Sequence, residues 1–344
     1  MVKLLKALPC YFGGKQKLLS AIFSQMPLPG PGWMPVLVDA FLGGGSVSLF
    51  GKAKGYQVLC NDISARSEVI GRALIENSRV RLDDMDMHRL LMQNEYSFVR
   101  ANFANLFTPE DAETLDTMLG NIKELSELAV QWHPRSTRVM LWRLVVILYI
   151  VRYRKYGDFG NEGIYQPLVG RYNAQIKKSH YESVKRICTP PLRKLQHVFE
   201  AINGGIFSNG LDNRFFKMDV LDFLSQVTGD IVYFDPPYYG CDSYENKYNV
   251  LDSILAGQLV EEQPSKFNQN GALDMLREML RAAAWSPLWI ISYGGPKVTA
   301  QDLGAIVAEF RPATITELKY KYNFGNEADT DARRTEMLIV GRRG

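Results

Sequence analysis

The sequence has few cysteines, and none of them form a pair at the spacing of a metal or redox site. Its four cysteines lie far apart and make no C-x-x-C motif; they are Cys10, Cys60, Cys188 and Cys241. This spacing argues against a disulfide framework and against a zinc site. We therefore expect free thiols in a reducing compartment.

Long hydrophobic runs are also absent. The most apolar stretch spans the eight residues 144–151, between Arg143 and Arg152, whereas a membrane-spanning helix needs roughly 20. This stretch predicts a buried helix. The first six residues also lack the apolar run of a secretion signal. The expectation is a cytoplasmic protein with no membrane partner.

A strong net charge is missing as well, because 40 basic and 37 acidic residues leave a formal charge of only +3. The local distribution is more informative than this total. Between residues 131 and 194, thirteen basic side chains stand against three acidic ones, and tyrosines are interleaved with them. This mixture, around a predicted loop or hairpin over 157–170, is typical of a nucleic-acid surface. A solvated basic face is the alternative.

A glycine-rich turn connects the first two predicted strands, at residues 36–41 and 56–60, and it leads into a predicted helix at 47–54. Glycines allow a ligand to pack against backbone, and Asp62 at the end of the second strand can accept hydrogen bonds from two ribose hydroxyls. This is the layout of a nucleoside-binding half-sheet. Ser48 stands where a dinucleotide fingerprint has its third glycine, which argues against NAD without excluding it.

The segment Ile231–Tyr238 carries a buried strand directly into a carboxylate and two prolines. Proline cannot donate to a sheet ladder, so the strand must stop after Asp235. Asp235 is then held at the carboxyl edge of the sheet, where open α/β sheets bind their ligands. Hydrogen-bond acceptors beside the Tyr238 ring suit a planar group that carries an amine. A simple Asp-Pro turn remains the alternative.

Two shorter signals accompany these. Lys15 follows paired glycines and precedes a predicted helix, an arrangement that favours anions, although a plain glycine loop fits it equally well. Asp219 ends a short predicted strand, where it could accept from an adenine amino group or cap the next helix. Residues 66–130 have helical spacing, and residues 240–271 are predicted to form a polar flap.

These features occur in one order: the glycine loop with Lys15, the glycine turn, Asp62, and Asp235-Pro236-Pro237-Tyr238. In this order the chain resembles the Dam-like adenine-N6 DNA methyltransferases, which depend on S-adenosylmethionine. The resemblance covers most of the chain. It implies an α/β fold, with a Rossmann-like sheet covered by helices on both faces and a mainly helical target-recognition domain that carries a β-hairpin. The implied catalytic domain comprises residues 1–65 and 205–344, and the recognition domain comprises residues 66–204.

The resemblance also implies site residues, and no metal among them. The implied catalytic residues are Asp235, Pro236, Pro237 and Tyr238. The implied cofactor-binding residues are Tyr11, Phe12, Gly14, Lys15, Asp39, Phe41, Gly43, Gly45, Asp62, Asp219, Val220 and Asp235. Within this set, the first four contact the methionine end of the cofactor, Asp62 the ribose, and Asp219 with Val220 the adenine ring. The candidate DNA-binding residues are Arg152, Arg154, Arg171 and Tyr172.

The implied reaction is methyl transfer to the N6 amine of an adenine flipped out of double-stranded DNA. Hydrogen bonds to the Asp235 carboxylate and the Pro236 carbonyl localise the lone pair of N6, and Tyr238 stacks on the base. A monomer is expected, and a cognate restriction endonuclease is a candidate partner. The middle of the hairpin, residues 158–163, is longer and more polar than is usual in the family, which puts the common GATC target in doubt.

Two other functions stay open on the sequence alone. One is methylation of RNA adenine or of cytosine N4 in DNA. Cytosine enzymes more often carry Ser than Asp before Pro-Pro-Tyr, so Asp235 favours adenine. The other is an inactive DNA-binding protein on the same fold, which the intact glycine turn, Asp62 and Asp235 argue against.

Overall fold

A computed structural model of the protein describes residues 2–9, 13–129, 133–153, 188–239, 244–260, 267, 271–294, 297–319 and 335–343. The chain divides into two compact units. The helical unit comprises Met1–Gly14, Ala65–Ser208 and Glu245–Glu262. The sheet unit comprises Lys15–Ser64, Asn209–Tyr244 and Gln263–Gly344.

Seven strands form one sheet within the sheet unit. They are β1 (Val36–Asp39), β2 (Gln57–Asn61), β3 (Arg214–Phe216), β4 (Ile231–Phe234), β5 (Leu288–Tyr293), β6 (Ala313–Lys319) and β7 (Thr335–Arg342). The strand order is β3-β2-β1-β4-β5-β7-β6. The first five strands in this order are parallel, and β7 runs antiparallel to both of its neighbours. The predicted α/β class is confirmed.

The helices are numbered in chain order across both units. They are α1 (Val2–Leu5), α2 (Leu19–Phe23), α3 (Ser46–Lys54), α4 (Ala65–Ile70), α5 (Asp84–Leu90), α6 (Phe98–Asn102), α7 (Pro109–Ala129), α8 (His133–Tyr153), α9 (Pro191–Asn203), α10 (Val220–Gln226), α11 (Tyr244–Ala256), α12 (Ala272–Ala282) and α13 (Ala300–Ala308). A π-helical turn follows α4 at Gly71–Glu76, and a 3₁₀ turn follows α6 at Ala104–Leu106.

Helices cover both faces of the sheet, as predicted. Every residue of β4 and β5 is buried, which is the expected pattern for parallel strands that are covered on both sides. On one face, Val38 and Val232 belong to the same apolar cluster as residues of α10, α12 and α13. On the other face, α3 packs so closely that a Cβ atom on Gly51 would lie 2.7 Å from Leu37 Cδ2.

The strand order reverses between β1 and β4, and this reversal places the site. From β1 the sheet continues to β2 and β3 on one side, and from β4 it continues to β5 on the other. Ligands bind open α/β sheets outside the carboxyl ends of strands at such a point. Because β7 is antiparallel to β5, its first residues lie at this same edge of the sheet.

The helical unit has a buried ion pair among its long helices. Lys194 of α9 lies 2.6 Å from a carboxylate oxygen of Asp111 in α7, and the Tyr149 hydroxyl of α8 donates to the same carboxylate. Pairing and hydrogen bonding of this kind offset the cost of burying charge. The buried helix predicted over residues 144–151 is confirmed within α8. Among the described residues, none of the helices combines the length and apolar character needed to cross a bilayer.

The polar flap predicted over residues 240–271 is wrong for its first half, because Tyr244–Ala256 forms α11. Leu251 and Ile254 are buried, one helical turn apart, while polar side chains between them hide the pattern in the sequence. The compact units also differ from the predicted domain boundaries, since residues 1–14 and 245–262 group with the helical unit. The assignment of target recognition to that unit stays a prediction.

Candidate active site

Asp235, the first residue after β4, lies beside an ammonium group and a phenol. Its Oδ1 atom is 2.9 Å from Lys15 Nζ and 3.0 Å from the Tyr238 hydroxyl. Lys15 Nζ also donates to the Tyr238 hydroxyl at 2.8 Å. The Lys15 side chain is 3% exposed and the Asp235 side chain is 20% exposed. The loop lysine and the residues after β4, predicted separately, therefore lie in one cluster.

A second carboxylate, Glu336, completes this cluster, and the sequence did not indicate it. Glu336 Oε1 lies 2.6 Å from the Tyr238 hydroxyl and 3.2 Å from Lys15 Nζ. The side chain is buried at the start of β7. An acidic residue heading an otherwise apolar strand is the only signal in the sequence. Because β7 is antiparallel, its first residues lie next to the carboxyl ends of the parallel strands.

Burial governs the ionisation of Asp235. Burial raises the pKa of this carboxyl and the negative charge of Glu336 adds to the rise, while the ammonium and hydrogen bond of Lys15 oppose both effects; the net pKa is about 6, against an ordinary value of 3.8. At neutral pH the carboxylate form therefore predominates. The Asp235 carboxyl therefore gains and loses its proton within about one unit of physiological pH, the range in which acid–base groups work best.

The Tyr238 ring is fixed by aromatic packing. Its centroid lies 4.7 Å from that of Tyr293 at an interplanar angle of 37°, and the Tyr293 hydroxyl accepts from the backbone N–H of Tyr239 at 2.8 Å. Gly294 allows this close packing, since a Cβ atom there would lie 2.5 Å from Glu336 Oε2 and 3.2 Å from Tyr238 Cε2. The position of the ring is thus set by β5 as well as by β4.

The glycine turn after β1 is built on left-handed backbone. Gly43 and Gly45 have φ angles of 50° and 77°, values that side chains with a Cβ atom rarely adopt. The Gly43 N–H donates to Asp62 Oδ2 at 2.8 Å, and the Ser64 N–H donates to Asp62 Oδ1 at 2.9 Å. These two bonds fix the carboxylate of Asp62 beside the turn, with further lone pairs available to a ligand.

Asp39, at the end of β1, has an unsatisfied acceptor. Its Oδ2 atom accepts from the Ser48 hydroxyl at 2.6 Å, while Oδ1 is buried without a hydrogen-bond partner. Burial raises the pKa of Asp39 to about 7, and the Ser48 bond opposes this effect. A buried acceptor without a donor is costly, so Asp39 fits a ligand that brings a donor, such as an ammonium group. Ser48, at the position of the missing third glycine, orients this carboxylate.

The other predicted residues are dispersed. Asp219 accepts from the Leu221 N–H at 2.9 Å and caps α10, so the capping role weighed in the sequence is present; its contact with adenine stays a prediction, as does that of the buried Val220. The Phe41 ring packs edge-on against Phe267. Gly14 ends the first segment of the helical unit.

The predicted DNA contacts lie in or near the part of the chain that is not described. Arg152, at the end of α8, donates to the carbonyl of Lys6 within the helical unit. Five other predicted site residues fall outside the described residues, as does the predicted hairpin; they are Tyr11, Phe12, Arg154, Arg171 and Tyr172.

Replacing Asp39 with Asn is expected to alter the pH dependence of stability. The folded pKa of about 7 exceeds the ordinary value of 3.8, so the contribution of this group to stability is present below pH 3.8 and is lost as the pH rises through 7. Between pH 4 and pH 8 the wild type should lose on the order of 3 kcal/mol relative to D39N. Urea unfolding at both pH values measures this difference.

The exposed Asp222→Asn change in α10 is the control for that experiment and should follow the wild type. Calorimetry with S-adenosylhomocysteine should show weaker binding by D39N, by about tenfold, because an acceptor for an ammonium donor becomes neutral. A stability profile of D39N parallel to that of the wild type would show that Asp39 does not titrate as stated.

Comparisons with known proteins find sequence similarity to DNA methyltransferases. The model of the family described as D12 class N6 adenine-specific DNA methyltransferase matches residues 11–161. The type II methyltransferase M2.HphI of Haemophilus parahaemolyticus is 24% identical over 341 residues, which are 96% of each chain. The modification methylase LlaI of Lactococcus lactis subsp. lactis is 26% identical over 281 residues, or 76% of this chain and 40% of that protein. The type II methyltransferase M.CviAII of Paramecium bursaria Chlorella virus 1 is 22% identical over 331 residues, covering 90% and 91% of the two chains.

Proposed function

We propose that the chain is a member of the D12 class of N6 adenine-specific DNA methyltransferases, to which its sequence is similar, and that the carboxyl ends of β1 and β4 form its reaction centre. In this centre a methyl group passes from S-adenosylmethionine to the N6 amine of an adenine in DNA. Asp235, Pro236, Pro237 and Tyr238 receive the adenine. Asp39, the glycine turn and Asp62 hold the methyl donor.

The observation that carries this proposal is the combination of contacts and exposure at Asp235. Its Oδ1 atom contacts Lys15 and Tyr238, while its side chain is one-fifth exposed at the edge where ligands bind. Oδ1 is therefore the oxygen through which Asp235 is connected to the rest of the cluster. A carboxylate held this firmly can accept a hydrogen bond from an amine without having to reorient.

An adenine amine is a poor nucleophile because its lone pair is delocalised into the ring. One N6–H bond directed at Asp235 and another at the carbonyl of Pro236 favour a pyramidal nitrogen with a localised lone pair. Pro236 and Pro237 lack backbone N–H groups and keep the chain out of the ladder. The carboxylate must be ionised to accept, which a pKa of about 6 permits at neutral pH.

The residues at β1 and β2 fit S-adenosylmethionine. The buried Asp39 Oδ1 without a partner suits the ammonium of its methionine part, and Asp62 suits the two ribose hydroxyls. Asp219 and Val220 are proposed to meet the adenine ring. When bound, S-adenosylmethionine supplies a methyl group already activated on a sulfonium, so the protein contributes orientation and electrostatics.

Mass spectrometry of double-stranded DNA incubated with the protein and S-adenosylmethionine tests the proposal. N6-methyladenine is the expected product. N4-methylcytosine, or methylation of RNA in place of DNA, would overturn the choice of substrate. Absence of product together with no heat of binding for S-adenosylhomocysteine would indicate an inactive DNA-binding protein. Single-molecule sequencing of the treated DNA reports the recognition sequence.

The remaining proposals concern partners and location. The protein is proposed to act in the cytoplasm as a monomer, alongside a restriction endonuclease with the same recognition sequence. The helical unit, with the basic segment at residues 131–194, is proposed to read the DNA. Light scattering of the protein with and without a duplex measures the number of copies bound.

A further inference from the structure

The cluster behind Asp235 contains two carboxylates that lie close to the same ammonium group. Lys15 Nζ lies within 3.2 Å of acceptor atoms of Asp235, Glu336 and Tyr238. The Tyr238 hydroxyl in turn contacts both carboxylates, so the two carboxylates are connected through it.

The Tyr238 hydroxyl lies between the two carboxylates and has a single proton to donate. It is 2.6 Å from Glu336 Oε1 and 3.0 Å from Asp235 Oδ1. The shorter distance is that of a charge-assisted O–H···O⁻ bond, so the hydroxyl donates to Glu336. When Asp235 carries a proton on Oδ1, that proton can be donated to the Tyr238 oxygen, and the three groups then form a continuous hydrogen-bonded chain.

Methylation of an amine produces one proton that has to go to a base. The lone pair of N6 forms the new N–C bond, the C–S bond breaks with its electron pair left on sulfur, and N6 then carries one proton too many. Asp235 is the base within reach in the proposed function. A single carboxylate in contact with the amine would keep this proton beside the product.

We propose that Glu336 is the terminal proton acceptor of the reaction, acting through Tyr238. A proton passes from N6 to Oδ1 of Asp235, Oδ1 donates it to the Tyr238 oxygen, and the Tyr238 proton passes to Oε1 of Glu336. Asp235 returns to its ionised form. Glu336 touches no reacting atom and is a positioning residue for this transfer. The inference rests on the proposed function of Asp235.

The test uses Glu336→Gln and Tyr238→Phe, singly and combined, in single-turnover methylation of duplex DNA. Gln keeps the shape of Glu336, and Phe keeps the ring while removing the hydroxyl. Each single change should slow methyl transfer about 100-fold, within the range of lost acid–base assistance. Because both changes interrupt the same chain, the double variant should be no slower than the slower single variant.

Glu317→Gln is the matched control, because Glu317 is exposed on β6, opposite Met337 of β7. It should react at the wild-type rate. A second measurement does not depend on turnover. It follows the carboxyl ¹³C NMR signals of labelled protein with pH, each signal being assigned by its loss in the corresponding variant. The Asp235 signal should change at a lower pH in Glu336→Gln than in the wild type, because the negative charge of Glu336 raises the pKa of Asp235.

Three outcomes would overturn the inference. They are a Glu336→Gln rate within twofold of the wild type, multiplied effects in the double variant, or an Asp235 titration that Glu336→Gln leaves unchanged. If Glu336→Gln fails to fold, a wild-type rate for Tyr238→Phe overturns it equally. If Glu336→Gln is active while Asp235→Ala is not, the relay is wrong and the proposed function stands. If the wild type methylates no adenine, the proposed function fails first.

Discussion

Asp235→Ala is expected to lower the rate of adenine methylation about a thousandfold, the size found when an electrostatic group at a reaction centre is removed. The change takes away the acceptor that localises the N6 lone pair and the first base for its proton. Quantification of N6-methyladenine in duplex DNA by mass spectrometry measures the effect.

The fold should tolerate Asp235→Ala. The change keeps the ion pair between Lys15 and Glu336, at 3.2 Å, so the ammonium retains a carboxylate partner. The thermal midpoint should stay close to that of the wild type. Asp274→Ala, which removes an exposed carboxylate on α12, is the control and should keep full activity. Methylation by Asp235→Ala at a tenth of the wild-type rate or faster would contradict the proposed mechanism.

Lys15→Met is expected to have the largest effect on stability. It removes the ammonium that lies within 3.2 Å of both the Asp235 and the Glu336 carboxylates, and removal of one partner from a buried ion pair costs about 3 kcal/mol or more. Urea unfolding at pH 8 should show this loss. Combining Lys15→Met with Glu336→Gln removes one of the two neighbouring negative charges and should restore part of the lost stability.

Lys15→Met should also shift the pH dependence of activity. The ammonium of Lys15 lowers the pKa of Asp235, which burial holds at about 6, so its removal raises that pKa. Asp235 works in its ionised form, and the acid limb of the pH–rate profile therefore moves to higher pH. Lys123→Met, at an exposed position of α7, should change neither stability nor the profile. An unchanged acid limb in Lys15→Met would contradict the role given to Lys15.

The site residues that directly follow an apolar strand could be predicted from the sequence. The apolar runs of β1, β2 and β4 each end in an acidic or polar residue, and parallel strands bring those ends to one edge. Asp62 and Asp235 were predicted from this pattern. The role of Asp39 and the coverage of both faces by helices were implied by the resemblance to the methyltransferase family, and the order of the strands was not predicted.

The residues that were missed depend on pairing across long stretches of chain. Glu336 is 98 residues from Tyr238, its hydrogen-bond partner, and only the antiparallel direction of β7 brings it to the site. Nothing local in the sequence sets that direction. The helix α11 was missed for a different reason, since its apolar residues are few and its polar ones resemble a loop. Lys15 was assigned to the cofactor, yet it pairs with Asp235 because the loop that carries it packs against the end of β4.

The antiparallel strand β7, which carries Glu336, also determines when during synthesis the cluster around Lys15 and Asp235 can form. Glu336 is synthesised hundreds of residues after Lys15, a delay of roughly half a minute at about 5–20 residues per second. Until β7 inserts between β5 and β6, Lys15 and Asp235 lack the group that the inferred relay requires. A nascent chain that already contains Asp39, Asp62 and Asp235 therefore cannot yet complete the proposed relay. The relay requires Glu336, which is present only after β7 has been synthesised and has paired with β5.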